Sequence, residues 1–121
     1  MTYDEIKKWV YRLSLEPYTR HIITEILNSF QNNLYTAGAL CFRIFLPHIL
    51  SDKTDLSLEE IKKMSYEEMI NEIGYYNYDT NDLFFLKDRI NDINHSFEKG
   101  DQELSEQIKQ ELISIINFFY T

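Results

Sequence analysis

The stretch that decides the fold is NDLFFLKDRINDINHSFEKGDQELSEQIKQELISIINFFY, residues 81–120, because it holds two amphipathic patterns separated by a turn. In each half, apolar residues recur at steps of three and four, which places them on one face of an α-helix. Gly100 is suited to end the first helix, and Asp101 is suited to cap the second. The two apolar faces consist of Leu83, Leu86, Ile90, Ile93 and Phe97, and of Leu104, Ile108, Leu112, Ile115 and Phe119.

The first half of the chain also has a helical pattern. A capping box at residues 2–5 begins a helix over about residues 3–15, and Pro17 suits the first turn of the next helix. A more apolar segment follows over residues 34–50. We expect this helix to kink or end near Pro47, because proline lacks a backbone donor and crowds the preceding turn.

The middle of the chain completes the helical pattern. Capping boxes at residues 57–60 and 65–68 predict two short helices, or one bent helix, ending at Gly74. No segment alternates between apolar and polar residues for long enough to build a sheet. We therefore predict an all-α bundle of about five to six helices in a single domain, with an N-terminal helix in residues 1–16 and the bundle in residues 17–121.

Composition and charge limit the classes of function. The 121 residues include 20 Asp and Glu against 12 Lys and Arg, giving a net charge of -8 that opposes general binding to nucleic acid. No apolar run is long enough to span a membrane, and no secretory signal is visible at the N-terminus. The single Cys41 cannot form an internal disulfide, and we expect a buried, inert thiol. Together these features predict a cytoplasmic protein.

The residues best suited to chemistry lie in the segment RINDINH, residues 89–95. A guanidinium can hold a phosphate and stabilise its charge, and an imidazole can transfer a proton near neutral pH. Arg89 and His95 are therefore candidate catalytic residues for cleavage of a phosphodiester, with the amides of Asn91 and Asn94 as auxiliary phosphate-binding donors. Because no metal-binding motif is present, we expect this chemistry to need neither metal nor another cofactor.

The spacing of the two catalytic candidates leaves alternatives open. On a straight helix, six residues separate the side chains by about 120° and about 9 Å along the axis. The two groups could reach one phosphate from opposite ends, or converge where two copies of the helix meet in a dimer. A structural interpretation is that Arg89 pairs with a surface carboxylate while His95 caps its helix. The carboxylates considered for this pairing are Asp92, Glu98 and Asp82.

The motif and its position resemble those of the HEPN superfamily, small helical-bundle domains of prokaryotic defence, toxin-antitoxin and RNA-processing systems. Active members carry an Arg, four to six residues and then a His late in the penultimate helix, as residues 89–95 do, before a final helix such as residues 102–120. A second similarity is the segment 33–43, with small residues and Arg43. The resemblance covers roughly residues 18–120.

This resemblance implies a HEPN-like fold and a metal-independent endoribonuclease in defence or a toxin-antitoxin system. It also implies a homodimer in which Arg89 and His95 of both chains share one groove, with RNA as substrate and an antitoxin as a possible protein partner. The alternative is a non-catalytic acidic interaction module that binds a protein partner, either as an inhibitor or accessory protein or as an immunity-type scaffold.

We expect the aromatic segment Tyr75–Tyr78 to hold its loop to the core, although its rings would also suit a base or a protein partner.

Overall fold

The structure is a computed structural model that describes residues 1–96 and 99–121, apart from the side chains of His95 and Ser96. The described residues form seven α-helices and no strand, which confirms the all-α prediction. Seven helices exceed the predicted five to six because each serine-capped segment in the middle of the chain forms a helix of its own. The helices are α1 (Tyr3–Arg12), α2 (Pro17–Gln31), α3 (Tyr35–Lys53), α4 (Leu58–Lys62), α5 (Tyr66–Gly74), α6 (Asn81–Ser96) and α7 (Gln102–Tyr120).

Local side-chain caps explain where several helices begin. Thr2, Ser57 and Ser65 each accept a hydrogen bond from the backbone N–H three residues later, and each glutamate at that position closes the capping box. Asp101 begins α7 in a similar way, because its carboxylate accepts from the N–H of Leu104 at 2.8 Å. These short-range patterns were readable from the sequence because they depend only on neighbouring residues.

Pro47 does not end its helix. Of the two outcomes expected at Pro47, an end of the helix is wrong, since α3 continues through Pro47 to Lys53. A kink at this residue stays a prediction. The apolar residues on both sides of the proline are fully buried, and their packing offsets the missing backbone hydrogen bond. These residues are Phe45, Leu46, Ile49 and Leu50.

One hydrophobic core joins all seven helices, and α3 runs through its centre against α2, α5, α6 and α7. The most extensive contact is between α2 and α3. Gly38 permits this contact, because a Cβ atom there would lie 2.2 Å from a ring carbon of buried Phe30. Within the described ranges, no helix has both the length and the apolar character needed to cross a membrane.

The connection between α6 and α7 is fixed to the start of α3. The backbone N–H of Gly100 donates to Oγ1 of Thr36 at 3.0 Å. A Cβ atom at Gly100 would lie 2.8 Å from the backbone carbon of Tyr35, so only glycine fits this approach without a shift. The C-terminal part of α6, which carries the Arg-His motif, is therefore near the first turn of α3.

Candidate functional site

Helix α6 leaves the described side chains of the predicted site partly or fully accessible to solvent. Ile90 and Ile93 are buried and fix which face of α6 meets the core. Arg89 and Asn91 are half-buried, and Asn94 is exposed. The helix continues to Ser96, so the backbone of His95 belongs to the same helix as Arg89. The side chain of His95 lies outside the described residues, and its predicted catalytic role stays a prediction.

Arg89 makes a defined ion pair. Its Nη2 atom donates to Oδ2 of Asp101 at 3.3 Å, and the other carboxylate oxygen of Asp101 caps α7. The side chains of Arg89 and Asp101 are 31% and 56% exposed, respectively. The carboxylate therefore connects the guanidinium of α6 to the first turn of α7.

The partner of Arg89 differs from the carboxylates considered in the sequence. The structure gives Asp101 as its ion-pair partner rather than Asp92 or Asp82, and Glu98 lies outside the described residues. The pair joins residues 12 positions apart, because the turn at Gly100 returns the chain beside α6. A spacing rule for neighbours on one helix could not find this contact.

The ion pair leaves Arg89 able to bind a phosphate. A guanidinium has five N–H donors, and among the described residues Arg89 donates to Asp101. Exposed ion pairs typically contribute about 0–1 kcal/mol, so a phosphate could displace Asp101 or bind beside it. Asp101 also restricts the side chain of Arg89, which reduces the entropy lost when an anion binds.

The other two histidines, His21 and His48, lie on α2 and α3 rather than on α6. His21 lies on the surface with its Nε2 atom 3.8 Å from Glu25. The ring of His48 packs against Tyr18 with 4.7 Å between ring centroids, and burial lowers the pKa of His48. Nearby, Asp52 accepts hydrogen bonds from Thr19 and Tyr120 at 2.5 and 3.0 Å.

Cys41 is only half-buried, less than predicted, and burial is the main cause of its raised pKa. A raised pKa keeps the thiol protonated and weakly reactive near neutral pH.

In the part of the chain that the structure describes, no group of three or more His, Cys, Asp or Glu side chains is arranged to hold a metal ion.

Sequence reasoning missed a buried polar pair. Tyr78 donates to Oε1 of Glu111 at 2.5 Å, and Glu111 is only 5% exposed. Burial is the largest cause of the raised pKa of Glu111, the hydrogen bond from Tyr78 lowers this pKa, and the nearby charges of Asp82 and Asp79 raise it. The sequence did contain a signal, since position 111 lies three residues after Ile108 and so falls beside the apolar face of α7.

The tyrosines of the predicted aromatic loop have different positions. Tyr78 is buried and packs against Phe118 and Phe119, with ring centroids 5.2 and 5.9 Å away. Tyr75 and Tyr76 are exposed, although Tyr76 touches the ring of Phe119. The interpretation of a loop anchor thus holds for Tyr78 alone.

The outer face of α3 is apolar and exposed. Leu34, just before the helix, is 56% exposed, and Ile44 is 49% exposed. Between them, Ala37 is exposed, and Leu40 and Cys41 are half-buried. We call this set of five residues the α3 stripe. The segment 34–50 contains no Asp or Glu, in contrast to the acidic chain as a whole.

Comparison with known proteins gives no significant match, whether to a family model, to a curated protein or to a solved structure. The resemblance to the HEPN superfamily therefore stays a prediction that depends on the motif residues.

Proposed function

We propose that this chain is a HEPN-like, metal-independent endoribonuclease that acts as a homodimer in a prokaryotic defence or toxin-antitoxin system. The observation that carries the proposal is the position of Arg89. Its guanidinium is partly exposed, held by Asp101, and located on the same helix as His95. Such a cation can bind an RNA phosphate, and the same helix carries a residue type that can transfer a proton.

The proposed reaction uses the 2′-hydroxyl of RNA as nucleophile. His95 accepts the hydroxyl proton while the 2′ oxygen attacks the adjacent phosphorus, so that a P–O2′ bond forms and the P–O5′ bond breaks. The leaving 5′ oxygen takes a proton from a protonated histidine or from water. Arg89 stabilises the negative charge on the phosphorane, and Asn91 and Asn94 donate to its oxygens. The products are a 2′,3′-cyclic phosphate and a 5′-hydroxyl.

A dimer would bring Arg and His side chains from two copies together, which offsets their separation of about 120° on one helix. The α3 stripe is the best surface for this contact. It is apolar, and it lies beside the Gly100 turn that follows α6. It also lacks acidic residues, so two copies with a net charge of -8 can approach there with the least repulsion.

The test is RNA cleavage by the purified protein in excess EDTA. We expect wild-type protein to cleave, and we expect Arg89→Ala and His95→Ala to lose at least a hundredfold in rate, since each removes a group that acts in the transition state. Matched controls are Arg12→Ala and His21→Ala, which change exposed residues of α1 and α2. Equal losses in the controls, or full activity of His95→Ala, would overturn the proposal.

A second candidate is a non-catalytic acidic module that binds a basic protein. The observation that favours it is the ion pair of Arg89 with Asp101, because this pair neutralises the cation on which cleavage depends. In that case a complex with a basic partner would weaken with salt, and His95→Ala would leave it unchanged. Cleavage in EDTA that is lost in His95→Ala would reject this candidate.

A further inference from the structure

A groove of about 490 Å³ runs between α6 and α7, on the side of α6 that also carries Arg89. Phe85, one helical turn before Arg89, stands at its edge and is 56% exposed. Phe118, also exposed, lies four residues after the groove residue Ser114 on α7 and packs against Tyr78. The residues that line the groove are Asp82, Phe85, Leu86, Gln107, Gln110, Glu111 and Ser114.

A buried acid, Glu111, lines the groove and has no ion pair with a described residue. Glu111 accepts a hydrogen bond from Tyr78, and no ion pair joins it to any described Lys, Arg or His. Asp82 adds a second carboxylate at the edge, and the described lining includes no basic residue. A buried carboxylate is normally paired, because taking its charge out of water is costly. Among the described residues, no Lys, Arg or His forms an ion pair that supplies this counter-charge.

A second buried acceptor lies one helical turn away. Oε1 of Gln107 is buried and accepts no hydrogen bond from the described residues. Gln107 and Glu111 are four residues apart, so both lie on the face of α7 that lines the groove. The groove thus presents one buried acceptor without a donor among the described residues, beside a buried carboxyl whose Oε1 atom already accepts from Tyr78. This selects against phosphate, which offers acceptors and negative charge, and favours groups that only donate, namely guanidinium and ammonium.

We propose that the α6–α7 groove binds an arginine or lysine side chain from a basic segment of a protein partner. Glu111 and Asp82 supply the counter-charge, and the exposed ring of Phe85 can stack on a guanidinium. A protein segment fits better than a free cation, because the exposed Phe85 and Phe118 offer contacts to apolar neighbours of the bound residue. The net charge of -8 would speed the approach of such a partner. This interaction is independent of RNA cleavage.

The test measures binding of a fluorescent hexapeptide that contains two arginines and one leucine, at low salt. The matched control peptide has the same sequence with both arginines replaced by citrulline, a neutral analogue of arginine. We expect the citrulline peptide to bind at least tenfold more weakly. Glu111→Gln and Asp82→Asn should each lower affinity for the arginine peptide about tenfold, because each removes one counter-charge. Glu103→Gln is the matched control, since it makes the same change at an exposed position of α7.

Several outcomes would overturn the proposal: no binding, equal binding of the citrulline peptide, or an equal loss in Glu103→Gln. Free spermidine binding as tightly as the peptide would show that the groove takes a small polyamine instead. Backbone NMR shifts should map the peptide to α6 and α7, and shifts elsewhere would reject the groove. If Glu111→Gln fails to fold by circular dichroism, Asp82→Asn at the exposed edge decides the question. RNA is absent throughout, so failure of the ribonuclease proposal would not affect the result.

Discussion

The hydrogen bond between Tyr78 and Glu111 should make a measurable contribution to stability. Replacing Tyr78 with Phe keeps the buried ring but removes the hydroxyl that donates to Glu111. The carboxyl would then remain buried, at 5% exposure, without this donor. Leaving a buried polar group unsatisfied typically costs about 1–3 kcal/mol, and more for a charged group. We therefore expect Tyr78→Phe to lower the free energy of unfolding by about 2 kcal/mol at pH 7, measured by urea denaturation.

The pH dependence of this loss provides a second check. The hydrogen bond from Tyr78 lowers the pKa of Glu111, which means that it favours the ionised carboxyl. Removing it should therefore cost more at pH 8, where Glu111 is more ionised, than at pH 5. Tyr75→Phe is the matched control, since Tyr75 is 75% exposed and its change should stay within about 0.5 kcal/mol. A loss for Tyr78→Phe no larger than that of the control would refute the reasoning.

Three further predictions concern packing, pH and assembly. Gly38→Ala should cost about 1–3 kcal/mol in urea denaturation, because its Cβ would collide with the buried ring of Phe30; an unchanged midpoint would contradict this. Burial raises the pKa of Glu111, so the native state binds the carboxyl proton more tightly than the unfolded state does. The free energy of unfolding should therefore fall as the pH rises from the usual glutamate range through the raised pKa. Glu111→Gln should flatten that fall, and an identical pH profile would disprove it. Ile44→Glu should convert the proposed dimer to a monomer in sedimentation velocity, while the exposed Leu58→Glu should not; equal effects, or a monomeric wild-type protein, would reject the α3 stripe as the interface.

The parts of the fold that could be predicted depend on short sequence separations. The described residues of the predicted apolar faces of α6 and α7 are buried, and Phe119 near the C-terminus is half-buried. They could be predicted because apolar residues at steps of three and four determine which side of a helix meets the core. Phe97 lies outside the described residues. Capping boxes also formed where the sequence placed them, since cap and partner are three residues apart.

The parts that could not be predicted depend on residues distant in sequence. Pro47 is accommodated in α3 by burial of its neighbours, and no local rule measures that packing. The pair of Tyr78 with Glu111 joins positions 33 residues apart, so it exists only once α7 has packed beside the aromatic loop. The partner of Arg89 could not be found for a similar reason, because Asp101 approaches only after the turn at Gly100.

The most direct test of the central claim is the chemical identity of the RNA ends produced in EDTA. If Arg89 and His95 use the 2′-hydroxyl without metal, the purified protein should yield 2′,3′-cyclic phosphate and 5′-hydroxyl ends, detected by mass spectrometry of a defined oligonucleotide. An oligonucleotide with 2′-deoxyribose at the cleaved position should remain intact, and His95→Ala should produce no fragments. Fragments with 5′-phosphate ends, cleavage at the deoxyribose position, or intact RNA after incubation with the wild-type protein would contradict the claim.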